Sequence, residues 1–232
     1  MRTLRPSSSR GRVRLGWLDS RHSFSFGEYH DERWMGFRSL RVINDDIIAP
    51  GGGFPTHPHR DMEIISIVLD GALEHKDSLG TGSVIRPGDV QRMTAGRGVA
   101  HSEFNPSSSE PTRLLQIWIR PRERSLTPSY DQKRFPREER LGAWRTLASG
   151  DGEDGSIVIQ QDARLLAAVI GRGKSLTHAL GDGRGAWVHV ISGKVRLGED
   201  VLGPGDAVAI EDEPVISMEA ETEAEVLLFD LV

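Results

Sequence analysis

The chain has 232 residues, with 29 Lys and Arg against 34 Asp and Glu, a formal net charge of −5 and no Cys. The missing Cys excludes disulfides, thiolate nucleophiles and Cys-ligated zinc or iron–sulfur sites, and the acidic balance argues against a nucleic-acid-binding face. The longest aliphatic stretch, residues 64–69, falls far short of the ~20 residues of a membrane helix. The basic segment 1–10 leads into no apolar signal core, so a soluble cytoplasmic protein is expected.

In chain order, short apolar or alternating runs fall at 39–44, 63–69, 72–75, 90–93 and 113–119. A second set falls at 157–160, 165–170, 187–191, 194–197, 207–210 and 225–231. Most are four to seven residues long and end at Gly, Pro or Asp, as strands do. The 26 Gly and 12 Pro are scattered between the runs rather than gathered in one linker. Only residues 137–141 suggest a helical turn. The expected class is all-β.

The two sets repeat one another. Asp70-Gly71 followed by Pro87-Gly88-Asp89 in the first half matches Ser192-Gly193 followed by Pro204-Gly205-Asp206 in the second. Each copy reads strand, Gly turn, strand, Pro-Gly-Asp turn, strand, with Pro presetting φ and Gly supplying positive φ. Two tandem antiparallel β-barrels are expected, over residues 1–120 and 155–232. The Pro-, Arg- and Glu-rich stretch 121–154 between them reads as a linker, with Arg120, Arg122 and Arg124 solvated.

His57-Pro58-His59 and His101-Ser102-Glu103 carry the chemistry. Residues i and i+2 of a strand project from the same face, so each pair can point at one ion. Two such strands side by side supply three neutral nitrogens and one carboxylate oxygen. That set suits Fe(II), Cu(II), Ni(II), Mn(II) or Zn(II) and leaves positions open. Glu63 shares the parity of His59 and competes with Glu103 as the carboxylate. His75 beside Asp77 reads as a feature of a hairpin. The second half offers only His178 and His189, and Met218 falls where His101 falls in the first, so the second barrel is expected to be metal-free. The aromatic stretch of Phe24, Phe26, Tyr29, Trp34 and Phe37 reads as core, with one or two rings available to line a pocket for a planar substrate.

The same residues resemble a known family. Gly51, His57-x-His59 and Glu63, then Gly98-x-x-His101-x-x-x-Asn105, are similar to the two motifs of the cupin superfamily. Within it, Phe24-Ser25-Phe26-Gly27, His57-Pro58-His59-Arg60, Glu74-His75-Lys76-Asp77-Ser78 and Met93 through Glu103 resemble the pirin family, and in particular its bacterial, quercetinase-type members. The resemblance implies a bicupin of jelly-roll-like barrels. It implies one divalent metal, most often Fe(II), held in the N-terminal barrel by residues matching His57, His59, His101 and Glu103. It implies a dioxygenase that opens a flavonol with O2 and releases carbon monoxide, with Glu103 as general base. The eukaryotic members imply an alternative, a metal- or redox-sensing regulator that binds a protein partner without turnover. Two departures stand out. Seven residues separate Glu63 from Gly71 where the motif has six, which counts against Glu63. Arg92 stands where the family often has Trp, which would alter substrate fit if that position faces the pocket.

Overall fold

A computed structural model describes residues 1–232, almost all of them in strands and turns. The four short helical segments are all 3-10, and one of them, Arg137–Arg140, covers the expected helical turn. No helix is long and apolar enough to cross a membrane. Two compact units result. One comprises residues 11–135 with 159–161. The other comprises residues 1–10, 136–158 and 162–232.

The first unit packs two sheets. A seven-stranded sheet runs in the order Ser129–Arg134, Asp89–Thr94, Glu63–Asp70, Thr112–Ile119, Leu40–Ile48, Leu18–His22, Gly11–Leu15. A four-stranded sheet runs Gly53–His59, Val99–Phe104, Leu73–Asp77, Gly82–Ile85. Ile48, Val68 and Leu114 of the large sheet pack on Leu73 and Ile85 of the small one. The antiparallel pairing follows from alternation: Ile64, Ser66 and Val68 point to one face of their strand, and Glu63, Ile65 and Ile67 to the other.

The second unit repeats the plan. Its seven-stranded sheet runs Arg2–Arg5, Ala207–Ile210, Gly185–Ser192, Ala224–Leu231, Ala163–Ile170, Arg145–Ser149, Ile157–Val158. Its four-stranded sheet runs Ser175–Ala179, Val215–Ala220, Val195–Leu197, Asp200–Leu202. Leu, Ile, Val, Ala and Met side chains of both sheets fill the space between them.

The boundaries differ from a simple tandem in three places. Residues 2–5 pair antiparallel with 207–210, across more than 200 residues of chain, so the first ten residues belong to the second unit. The stretch expected to be a linker contains Ser129–Arg134, which pairs along its whole length with Asp89–Thr94 in the first unit. The expected strand 157–160 splits, with Ile157–Val158 in the second unit and residues 159–161 in the first.

Candidate metal centre

Strand Gly53–His59 lies beside Val99–Phe104, and His57 sits directly opposite His101. A register shift between His101 and Glu103 then places Glu103 opposite Phe54. The close approach depends on Gly53, where a Cβ would stand 2.4 Å from the Glu103 carbonyl oxygen. On its other side Val99–Phe104 pairs with Leu73–Asp77, which puts Asp77 opposite His101 and His75 opposite Glu103.

The donors form two overlapping groups. His57, His59 and His101 bring ligand atoms within 4.8 Å of one another, and so do His75, His101 and Glu103. His101 is common to both. The three histidines singled out in the sequence converge, while Glu103 groups with His75 and His101 on the other side of His101. His75 is the member the sequence reading missed. Its signal was present, since His75-x-Asp77 repeats the same i, i+2 spacing in the same half.

Hydrogen bonds fix which nitrogens are free. His57 Nδ1 lies 2.8 Å from the Pro55 carbonyl oxygen. A carbonyl only accepts, so Nδ1 carries the proton of the neutral ring and Nε2 keeps its lone pair. A longer chain does the same for His101. Asp77 Oδ2 accepts from His75 Nε2 at 3.1 Å, which leaves His75 Nδ1 as an acceptor. That atom faces His101 Nδ1 at 3.4 Å, so His101 donates there. His101 Nε2 is buried with no partner. The other Asp77 oxygen accepts the backbone N–H groups of Leu79 and Thr81, so the hairpin role read from the sequence is also present.

Electrostatics favours neutral imidazoles. Burial, reinforced by His57, pushes His59 down to about 4. Burial, then His59, His57 and His75, pushes His101 down to about 2. Glu103 is fully buried, and that burial raises its proton affinity against the opposing pull of Gln116 and the neighbouring His75 and Ser66. Gln116 Nε2 donates to Glu103 Oε2 at 2.8 Å, and the single Ser66 hydroxyl proton is shared between Gln116 Oε1 at 2.9 Å and Glu103 Oε1 at 3.2 Å.

Ser66 and Gln116 belong to a polar row across the large sheet. In register it reads His22, Asn44, Gln116, Ser66, Gln91, and every member is buried. Gln91 is fully buried, and neither of its amide atoms has a hydrogen-bond partner. Apolar clusters bound the row on both sides, one around Leu18, Ile48 and Leu114 and the other around Ile64, Met93 and Val99. Asp46, one inward position along from Asn44, is pushed up to about 7, chiefly by burial.

Two sequence candidates point elsewhere. Glu63 shares a face with Ile65 and Ile67, opposite to Ser66. Its Oε2 accepts from Thr94 Oγ1 at 3.0 Å and from the Gln160 backbone N–H at 3.2 Å. It is not in either donor group. The i+4 step from His59 crosses a bend at Asp61, where φ is +50°, so strand parity does not carry through. Arg92 donates to Thr94 and Ser129. It therefore lies on the face away from Ser66, and Gln91 and Met93 occupy the inward positions.

Aromatic rings wall the site. The Trp118 ring lies edge-on to His59 at 4.9 Å and to Phe26 at 5.2 Å. Phe26 also meets His22 at 5.3 Å, so one ring of the N-terminal aromatic stretch does reach the site, while Phe24 is buried core.

Two units, each of two packed β-sheets, one of which carries converging imidazoles beside a buried carboxylate, define a bicupin. The Pirin family profile matches residues 3–119, and a profile described as the quercetinase C-terminal cupin domain matches residues 146–231. The chain belongs to the pirin family. It is 44% identical to quercetin 2,3-dioxygenase of Escherichia coli K12 over 228 residues, covering 98% of this chain and 97% of that protein. It is 43% identical to a pirin-like protein of Caulobacter vibrioides, over 97% of both chains. The crystal structure of the E. coli protein YhhW superposes with a TM-score of 0.97 at 44% identity, over 100% of this chain and 98% of that one. A structure of YhhW in complex with nickel(II) gives 0.96, over 100% and 99%.

Proposed function

We propose that this protein is a metal-dependent flavonol dioxygenase of the quercetinase type. His57, His59, His101 and Glu103 would hold one divalent ion, with Fe(II) the expected native metal and Cu, Ni, Mn and Zn also suited to the donor set. The observation that carries the reading is the buried, unpartnered Nε2 of His101 among two further imidazoles and beside a fully buried carboxylate. Such an atom is costly to bury without a partner, and a cation is the partner three neutral imidazoles suit. The names of the E. coli relative and of its nickel complex support the same reading.

A divalent ion at this place supplies Lewis acidity toward a bound enolic hydroxyl. The chain does the rest. Glu103 takes the proton of the flavonol 3-hydroxyl on a carboxylate oxygen, and its burial raises its affinity for that proton. Ser66 and Gln116 hold the carboxylate in place. Asp77 orients His75, and His75 keeps His101 in the tautomer whose Nε2 is free. Trp118 and Phe26 present ring faces and edges to a planar substrate and exclude water from it.

The test is purified protein loaded in turn with each of the five metals and given quercetin and O2. Loss of flavonol absorbance with matching carbon monoxide release is expected with at least one metal. Glu103→Gln should keep part of the metal and lose turnover. One bound ion per chain with no turnover under any metal would overturn the enzymatic reading and favour the metal-sensing regulator.

A further inference from the structure

The motif that carries His101 ends at Asn105, a residue the metal centre does not use. The Asn105 amide nitrogen lies 3.1, 3.2 and 2.8 Å from the carbonyl oxygens of Ile48, Ala49 and Glu110, so two N–H groups are shared among three acceptors. The Ala49 backbone N–H in turn donates to the Trp17 carbonyl at 2.9 Å. Three segments, residues 14–19, 47–50 and 109–111, are thereby held together around an open groove of about 430 Å³. That volume lies within the roughly 300–1,000 Å³ of small-molecule sites. None of the proposed metal donors lines it.

The walls of the groove are apolar and in contact with water. Leu15 is 54% exposed and Ile47 44%, and Trp17, Pro50 and Pro111 stand beside them. Ile47 interrupts a charged row, since in register the positions read Arg14, Asp19, Ile47, Arg113. A scattered exposed hydrophobe is ordinary, whereas several gathered around one groove mark a binding surface.

The rim carries an incompletely matched charge. Arg14 and Asp19 are the only charged residues in the lining. Asp19 is already held through both oxygens by Arg12, with Arg12 Nε 2.9 Å from Oδ1 and Nη2 on Oδ2. Arg14 reaches the same carboxylate only through Nε, at 3.3 Å. Its side chain is 66% exposed, and its two Nη groups make no hydrogen bond. Two guanidiniums thus share one carboxylate, which leaves a local positive charge on a chain whose total is −5. A planar guanidinium with free N–H groups suits a carboxylate, and apolar walls beside it suit a hydrocarbon tail.

We propose that this groove is a second ligand site, which binds a medium-chain monocarboxylate with its tail against Trp17, Ile47 and the two prolines and its carboxylate on the Arg14 Nη groups. The site is separate from the metal centre and does not depend on the flavonol reading.

The experiment titrates full-length, zinc-loaded protein with octanoate, octan-1-ol, octylamine and acetate, followed by amide NMR. Octanoate should shift the signals of residues 14–19, 47–50 and 109–111. At low salt it should bind about fivefold more tightly than octan-1-ol, as an exposed ion pair allows, and the gap should close at about 1 M salt. Octylamine should bind more weakly than the alcohol, and acetate should leave these signals unchanged. Arg14→Gln should bring octanoate down to the level of the alcohol. Ile47→Gln should weaken both about fivefold through lost apolar contact. Neither variant should change metal content. An alcohol that binds as tightly as the acid would reduce the groove to a bare apolar patch and overturn the inference. Octanoate shifts confined to residues 57–59 and 99–104 would overturn it too, as would a concentration dependence of the groove signals without any ligand, which would assign the groove to a second copy of the chain.

Discussion

The two units are built on one plan and filled differently. Offsetting the repeat places Ser66 against Val188, since Asp70-Gly71 corresponds to Ser192-Gly193. Register then carries the correspondence across the sheet. In the first unit Asn44, Gln116, Ser66 and Gln91 form one row. In the second the same row is Leu166, Leu228, Val188 and Val208, all within one apolar cluster. The small sheets differ in the same way. His57 faces His101 in one, and Leu176 faces Met218 in the other. A sandwich of this size is thus stable with its middle filled by hydrocarbon. The polar middle of the first unit is an addition, made at the cost of burying two carboxyl groups, three amides and several imidazoles. Such a cost is borne where a site is needed, and the corresponding row of the second unit is hydrocarbon.

This contrast can be broken at several points. The largest effect is expected from His101→Ala, which removes the donor common to both groups. Metal content by elemental analysis should fall to near zero and quercetin turnover by more than about 100-fold. Retained metal at one ion per chain would show that His101 is not a ligand. In the second unit Leu228→Ala should cost about 2–5 kcal/mol by leaving a cavity in hydrocarbon. Calorimetry should record the lower melting temperature, with metal content unchanged.

The polar middle of the first unit also sets a pH dependence. The native Asp46 holds its proton up to about 7, whereas an unfolded Asp releases it near 3.9. Between those values the native state binds more protons, so this group lowers stability as pH rises. Asp46→Asn should therefore gain stability over the parent from pH 4 to 7, by up to about 4 kcal/mol. His59 and His101 act in the opposite sense. Their native values of about 4 and about 2 lie below the unfolded value. The unfolded state takes up the protons first, and metal-free protein should lose stability as pH falls below about 6.5. Denaturant melts of the two proteins across this range check both signs.

Making the first unit resemble the second is the next test. Ser66→Val with Gln116→Leu strips both side-chain donors from Glu103. Turnover should fall by roughly 100-fold, about 2.7 kcal/mol at the transition state, while circular dichroism stays that of the parent. The smallest effect is expected from Asp77→Asn, which loosens the tautomer of His101 through His75. Metal affinity should drop about 10- to 100-fold without loss of the bound stoichiometry at saturating metal, as titration calorimetry can measure.

Much of this was legible in the chain because it depends on local periodicity. The pairs His57-x-His59 and His101-x-Glu103 had to point one way once each lay in a strand, and the Pro-Gly-Asp turns marked the repeat. The carboxylate was not settled by parity, since the bend at Asp61 turned Glu63 to the other face. His75 was visible as a third pair of the same spacing, but its role depended on which strand lay beside Val99–Phe104.

What the sequence by itself determined is the kind of donors and their pairing within strands. Tertiary structure alone decided the rest. Arg2–Arg5 has no alternation to read, and its place in the second unit rests on backbone pairing with Ala207–Ile210 and on Arg2 contacts to Glu213 and Leu197. Ser129–Arg134 is polar throughout and becomes a strand by completing the edge beside Asp89–Thr94. The row from His22 to Gln91 draws one residue from each of five strands, so no window of sequence contains it. Periodicity fixes the face a side chain takes on its own strand, whereas cross-strand register fixes its neighbours, and the chemistry of this site lies in the neighbours.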